Sequence, residues 1–146
     1  MSGPLILGND GLPMDCYKPY FYSFYKGLNR FIEAQSKWYD IALQEIKNGK
    51  KENHWIWYVF PQMKGLGHSE ISVYYGINGR EEAKAYIEHP ILRERLVEIC
   101  EAVLHHEKSV YEIFGSDAIK VRACVLLFAS VSDIPVFKQI KNKYRW

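Results

Sequence analysis

Residues 53–69, Asn-His-Trp-Ile-Trp-Tyr-Val-Phe-Pro-Gln-Met-Lys-Gly-Leu-Gly-His-Ser, constrain this chain more than any other stretch. Trp55, Ile56, Trp57, Tyr58, Val59 and Phe60 form an unbroken apolar run with three kinds of aromatic ring. Most of such a run must leave water, because large rings dominate core energetics. The residue types favour a strand, but no second strand of similar quality occurs, and a lone strand would leave its backbone groups unpaired. The run is therefore read as a short buried helix, capped by Asn53 and ended by Pro61. Polar residues edge it: His54 in front, Gln62 and Lys64 behind, His68 and Ser69 after the glycines. Such a segment is either the anchor of a core or the wall of a pocket.

The other 3.6-residue periodicities agree with an all-α chain. Leu28, Phe31, Ile32, Trp38, Ala42, Leu43 and Ile46 give a stripe over residues 28–48, and Asn48-Gly49 supplies its stop. Ser69 can cap a short helix that presents Ile71, Tyr74 and Tyr75 on one face and ends at Gly76. Asn78 and Glu81 have the spacing of a capping box for a helix with Ala83, Tyr86 and Ile87 inward. Pro90 suits the first turn of the next, whose stripe runs from Ile91 to Leu104. Ser109 opens a single turn stopped by Gly115. Residues 118–131 are apolar nearly all round and read as the central helix. Asp133 and Pro135 start a last helix through Tyr144. The result is a compact single-domain bundle of about seven long and short helices, residues 28–146. Residues 1–27, with Gly3, Pro4, Gly8, Gly11, Pro13 and Pro19 among many aromatics, read as an irregular N-terminal arm.

A chain of 146 residues can bury a full core. Its formal net charge of +2 points to no polyanionic partner. No apolar run reaches the length of a membrane span, and the first ten residues lack the basic start of a secretory signal. Three scattered cysteines give neither a disulfide framework nor zinc spacing, so a reduced, cytoplasmic setting is expected and no metal site. No cofactor fingerprint occurs. The basic aromatic end (Lys138, Lys141, Lys143, Tyr144, Arg145, Trp146) reads as a solvated helix face before a nucleic-acid contact.

Chemistry concentrates around the aromatic run. Gly65, Gly67 and Ser69 form either a tight interhelical turn or a helix start whose free N–H groups face an anion. Trp57 offers a flat face, Gln62 an amide, and Tyr75 a second ring. His54 is the best proton carrier, because imidazole titrates near neutrality. The competing account has His54 and Gln62 bonding neighbouring helix ends. His89 at the 89–90 junction suits a backbone contact. Asp117 reads as a charge at a helix start, Lys120 as a solvated side chain, and Cys100 and Cys124 as small core residues.

Three strings occur in order: Arg30-Phe31-Ile32-Glu33-Ala34-Gln35, then residues 54–62 as HWIWYVFPQ, then Gly65-Leu66-Gly67-His68-Ser69. With Glu82 to Pro90 and Asp117-Ala118-Ile119-Lys120, they resemble the domain of unknown function 1810 family. Arg93 and Leu126 depart from its pattern, which often has Gly and Thr there. The resemblance implies a small, mainly α-helical, soluble protein and carries no established activity. It implies a shared set of characteristic positions at His54, Trp55, Trp57, Gln62, Gly65, Gly67, Ser69, His89, Asp117 and Lys120. Together, these residues lead to an expected pocket for a small anionic, nucleotide-like ligand. Trp57, Gln62, Gly65, Gly67, Ser69, Tyr75, His89 and Lys120 would line it, and in a hydrolytic version His54 would move the proton. The alternative is a non-catalytic interaction module using the N-terminal arm and the C-terminal tail.

Overall fold

The computed structural model describes residues 27–146 in full and the backbone of the preceding helical residues from Pro19. Among these, eight α-helices follow one another: α1 (Pro19–Lys47), α2 (Ile56–Val59), α3 (Glu70–Tyr74), α4 (Gly79–Glu88), α5 (Pro90–His105), α6 (Val110–Phe114), α7 (Ala118–Val131) and α8 (Pro135–Tyr144). No β-strand occurs among them; one isolated parallel bridge joins Met63 to Ile77. The all-α bundle expected from periodicity is the fold.

The boundary of the arm moves. Helix α1 begins at Pro19 and not near Leu28, because proline is tolerated in a first helical turn and a single Gly27 costs only about 1 kcal/mol. Residues 1–18 of the expected arm lie outside the described residues. At its other end α1 stops as expected. Gly49 takes φ +86°, Gly49 N–H donates to Ile46 O at 2.9 Å and Lys50 N–H to Glu45 O at 3.1 Å. This is the paired bonding of a Schellman cap.

Helix α5 packs against α1, α4 and α8, and α7 against α4, α6 and α8. Their shared interior holds Leu28, Phe31, Leu96, Ile99, Val121, Val125, Phe128 and Phe137, all closed to solvent. The inward face of α5 follows its sequence stripe, although Ile91 faces out; α7, apolar nearly all round, turns Ile119 to solvent, and α8 buries Val136, Phe137 and Ile140. Ser109 makes a full capping box with Glu112. The C-terminal tail folds back on the body: Tyr144 Oη accepts the Val110 N–H at 2.9 Å and Lys143 Nζ reaches Leu104 O at 2.9 Å.

Two caps differ from expectation. Asn78 makes no side-chain cap; its N–H instead donates to Glu82 Oε1 at 2.9 Å, one residue beyond the expected Glu81. Glu82 is chosen because it also pairs with Arg30, Nη2 to Oε1 at 2.9 Å. That guanidinium further donates to Tyr74 O and Gly76 O, at 2.8 and 2.9 Å, and to Gly27 O. Helix α3 also turns the other way. Ile71, Val73 and Tyr74 are exposed and Ser72 is its buried residue.

Asn53 is not the cap of α2. Glu45, buried on α1, recruits it instead. Its Oε1 accepts the N–H groups of Glu52 and Asn53 at 2.7 and 3.0 Å and the Trp55 indole N–H at 2.9 Å; its Oε2 accepts Asn53 Nδ2. Burial alone would raise this carboxyl, but the bonds from Asn53, Glu52 and Trp55 outweigh it and hold it below its ordinary value of 4.5. Glu45→Gln places an amide NH2 against these donors and should cost about 3 kcal/mol in a urea unfolding curve. A depressed carboxyl contributes fully above its ordinary value and loses its contribution as pH falls through the folded one. Wild-type stability should therefore fall more steeply than that of Glu45→Gln below pH 4.5.

Candidate functional site

Glu45 sets the loop of residues 50–55 against the body, and Lys51 follows. Its backbone N–H bonds Ile113 O at 2.8 Å. Its ammonium donates to Asn53 O at 2.6 Å, pairs with Asp117 Oδ2 at 2.9 Å and lies 5.0 Å from the Trp55 ring centre. From the first turn of α7, Lys120 Nζ takes the other oxygen, Asp117 Oδ1, at 2.6 Å. The same ammonium stands 4.8 Å from the centre of the Trp57 ring, a cation–π contact. Two cations thus share one carboxylate, leaving one net positive charge against a half-buried indole. Burial pushes the Asp117 carboxyl up, but the two ammonium groups prevail and hold it below its usual range.

Gly67 closes on the edge of that indole. A Cβ built there would lie 3.0 Å from Trp57 Cη2 and 2.8 Å from Ser72 Oγ. Contact this close admits only glycine without displacement of the loop. Gly65 in the same loop is exposed, with φ +105°. Ser69 Oγ accepts the Ser72 N–H at 3.3 Å and so caps α3 as its sequence suggests.

Trp57, Gly67 and Lys120 therefore meet at one corner. Several other candidates lie elsewhere. Gln62 is buried and donates to Phe60 O at 3.3 Å. That contact is of the kind the core-satisfying account expects. His89 is buried at the α4–α5 junction, where its Nδ1 accepts the Ile91 N–H at 3.3 Å as the cap of α5. Tyr75 packs on Tyr58 and Phe31, with ring centres 5.0 and 5.9 Å away. It lines a separate recess of about 280 Å³ between α1 and α3, with Arg30, Lys37, Trp38 and Tyr74. Burial first, then Tyr75, pushes the Tyr58 phenol up to about 12. His54 is exposed, one residue beyond the carbonyl that Lys51 holds.

No local signal marks Lys51, because its partner Asp117 lies 66 positions away in the chain. The Asp117–Lys120 spacing of three at a helix start was a usable signal for an ion pair. Among the described residues, no group of three or more His, Cys, Asp or Glu is placed to hold a metal ion. None of their helices is long and apolar enough to cross a membrane.

Residues 25–145 match the model of a family described as "Protein of unknown function (DUF1810)". The chain belongs to this DUF1810 family. Its structure is similar to the crystal structure of the conserved hypothetical protein Rv1873 from Mycobacterium tuberculosis. The two share 40% identity with a TM-score of 0.78, over 81% of this chain and 86% of that one. No curated protein matches the sequence. Most of the string that suggested the family, HWIWYVFPQ through GLGHS, forms a continuous structural unit. In this DUF1810 member, that unit runs from the Glu45-held loop through α2 to the cap of α3.

Gly67→Ala should force the loop off the indole, cost about 1–2 kcal/mol and change the tryptophan emission. The spectral change should vanish when the same substitution is made in a Trp57→Phe background. A persistent change would place the disturbance at another tryptophan.

Proposed function

We propose that this protein binds a small anionic, nucleotide-like ligand at the corner shared by Trp57, Gly67 and Lys120. The observation that carries this reading is the Lys120 ammonium beside the half-buried indole, part of a Lys–Asp–Lys set with an unbalanced positive charge. A half-buried indole next to a cation suits a ligand that is flat at one end and acidic at the other. In the same loop, Gly65 and Leu66 are exposed, while Gly67 closes on the edge of the indole. The anion contact in this reading is Lys120 and not the start of α3. That helix has only five residues, and its cap is already made by Ser69. If the ligand is also hydrolysed, exposed His54 is the residue to carry the proton. The same reading sets the protein in the cytoplasm, where phosphorylated metabolites are held.

A second reading has its own observation. Leu66, Ile71, Val73 and Tyr74 expose apolar surface on and beside α3, which suits a protein contact better than a small ligand. It adds to the N-terminal arm and C-terminal tail expected from sequence as contact surfaces; of these, the tail is folded onto the body.

A thermal-shift screen against nucleotides and sugar phosphates separates the two. A ligand held tenfold above its Kd should raise the melting temperature by about 5 °C. Trp57→Ala and Lys120→Met should each abolish the rise, while His54→Ala should retain it and lose any hydrolysis. No rise with any of these compounds would end the ligand reading and favour the α3 surface.

A further inference from the structure

The two lysines that share Asp117 are not equivalent. Lys51 has side-chain exposure of 8% and contacts Asp117, the Asn53 carbonyl and the Trp55 ring. Lys120 is 30% exposed; its contacts are one carboxylate oxygen and the Trp57 ring. Any exchange of partners falls to Lys120. Once Lys120 turns away, Lys51 still neutralises Asp117, so a carboxylate only 18% exposed is not left bare. Stranding a charge there would be costly.

Resting on the ligand reading above, we propose that the acidic group taken here is a phosphoryl group. Lys120 receives it in exchange for Asp117, and Lys51 acts as the positioning residue that keeps Asp117 charged and in place. Chemistry decides the class of anion. A carboxylate ligand would replace one carboxylate with another at no gain. A phosphoryl group brings more charge and three acceptor oxygens to the same ammonium. Asp117 therefore competes with the ligand: it lowers affinity for every anion and excludes those no stronger than itself. Lys51 weakens that competition, because it already satisfies half of the carboxylate.

The sign of one substitution distinguishes this from simple structural pairing. Calorimetric titration of the full chain with adenosine 5′-monophosphate should tighten about tenfold in Asp117→Asn, since the competitor loses its charge. Lys51→Met should weaken binding, because Asp117 then depends on Lys120 alone. Adenosine should bind at least about tenfold more weakly than its monophosphate. Inorganic phosphate and ribose 5-phosphate should compete with the nucleotide, and their ranking identifies whether free phosphate or an ester is preferred. Acetate at equal concentration should not compete. Weaker or unchanged binding by a folded Asp117→Asn overturns the exchange while leaving the ligand reading intact, and so does competition by acetate equal to that of phosphate. Absence of binding by wild type to all the phosphorylated probes defeats both. Should Asp117→Asn fail to fold by circular dichroism, the acetate comparison in wild type and the Lys51→Met titration still decide.

Discussion

A single carboxylate on the first helix holds the aromatic segment in place. Glu45 gathers four donors from residues 52–55, including the indole of Trp55. Without it, a loop leaving α1 would have no reason to bring Trp55 inward or to fix Asn53. The Asn53 carbonyl in turn holds the ammonium of Lys51, and Lys51 reaches Asp117. Asp117 orients Lys120 over Trp57. A buried acid thus governs a half-buried cation through four successive polar contacts, each short enough to be a real hydrogen bond or ion pair.

Arg30 plays the matching part on the other side of the segment. Its guanidinium joins α1 to the 74–76 turn and to Glu82 of α4. The pair is nearly closed to water, so its worth lies less in net stability than in fixing one arrangement of three elements. Gln35 adds a third tie, donating to Tyr58 O at 2.7 Å and Tyr86 Oη at 3.0 Å. The apolar core supplies the burial, and these three side chains of α1 decide where the irregular segment 50–78 lies upon it.

Periodicity and caps made much of this legible beforehand. The stripe of α5 has nearly the right face, and Gly49, Ser69, Pro90 and Ser109 mark real ends, because each acts through bonds only a few residues long. What failed to show depends on distant partners. The Arg30–Glu82 contact spans 52 positions and drew the Asn78 N–H away from the capping box its spacing suggested. Pro19 has the residue type of a breaker, yet in the first turn of α1 it removes no helical hydrogen bond, and the single Gly27 further on costs only about 1 kcal/mol. For the candidate site, Trp57, Gly67 and Lys120 were named from residue type and resemblance and do meet. Gln62 and His89 were named on the same grounds and satisfy backbone groups inside the fold. Residue type alone does not separate these outcomes, since an amide or an imidazole serves equally well in a site or at a helix end.

The inverted face of α3 has one more consequence. A five-residue helix that buries a serine and shows isoleucine, valine and tyrosine gains little from the core. It is tied to the body at its C-terminal end, by the Arg30 grip on the Tyr74 carbonyl and the Tyr75 ring against Tyr58 and Phe31. Segments with so few buried apolar contacts open locally at a fraction of the global free energy. The amides of residues 66–75 should therefore exchange with solvent ahead of the helices around them. The side of Trp57 that Gly67 covers is correspondingly the part of the aromatic run that thermal fluctuation uncovers first.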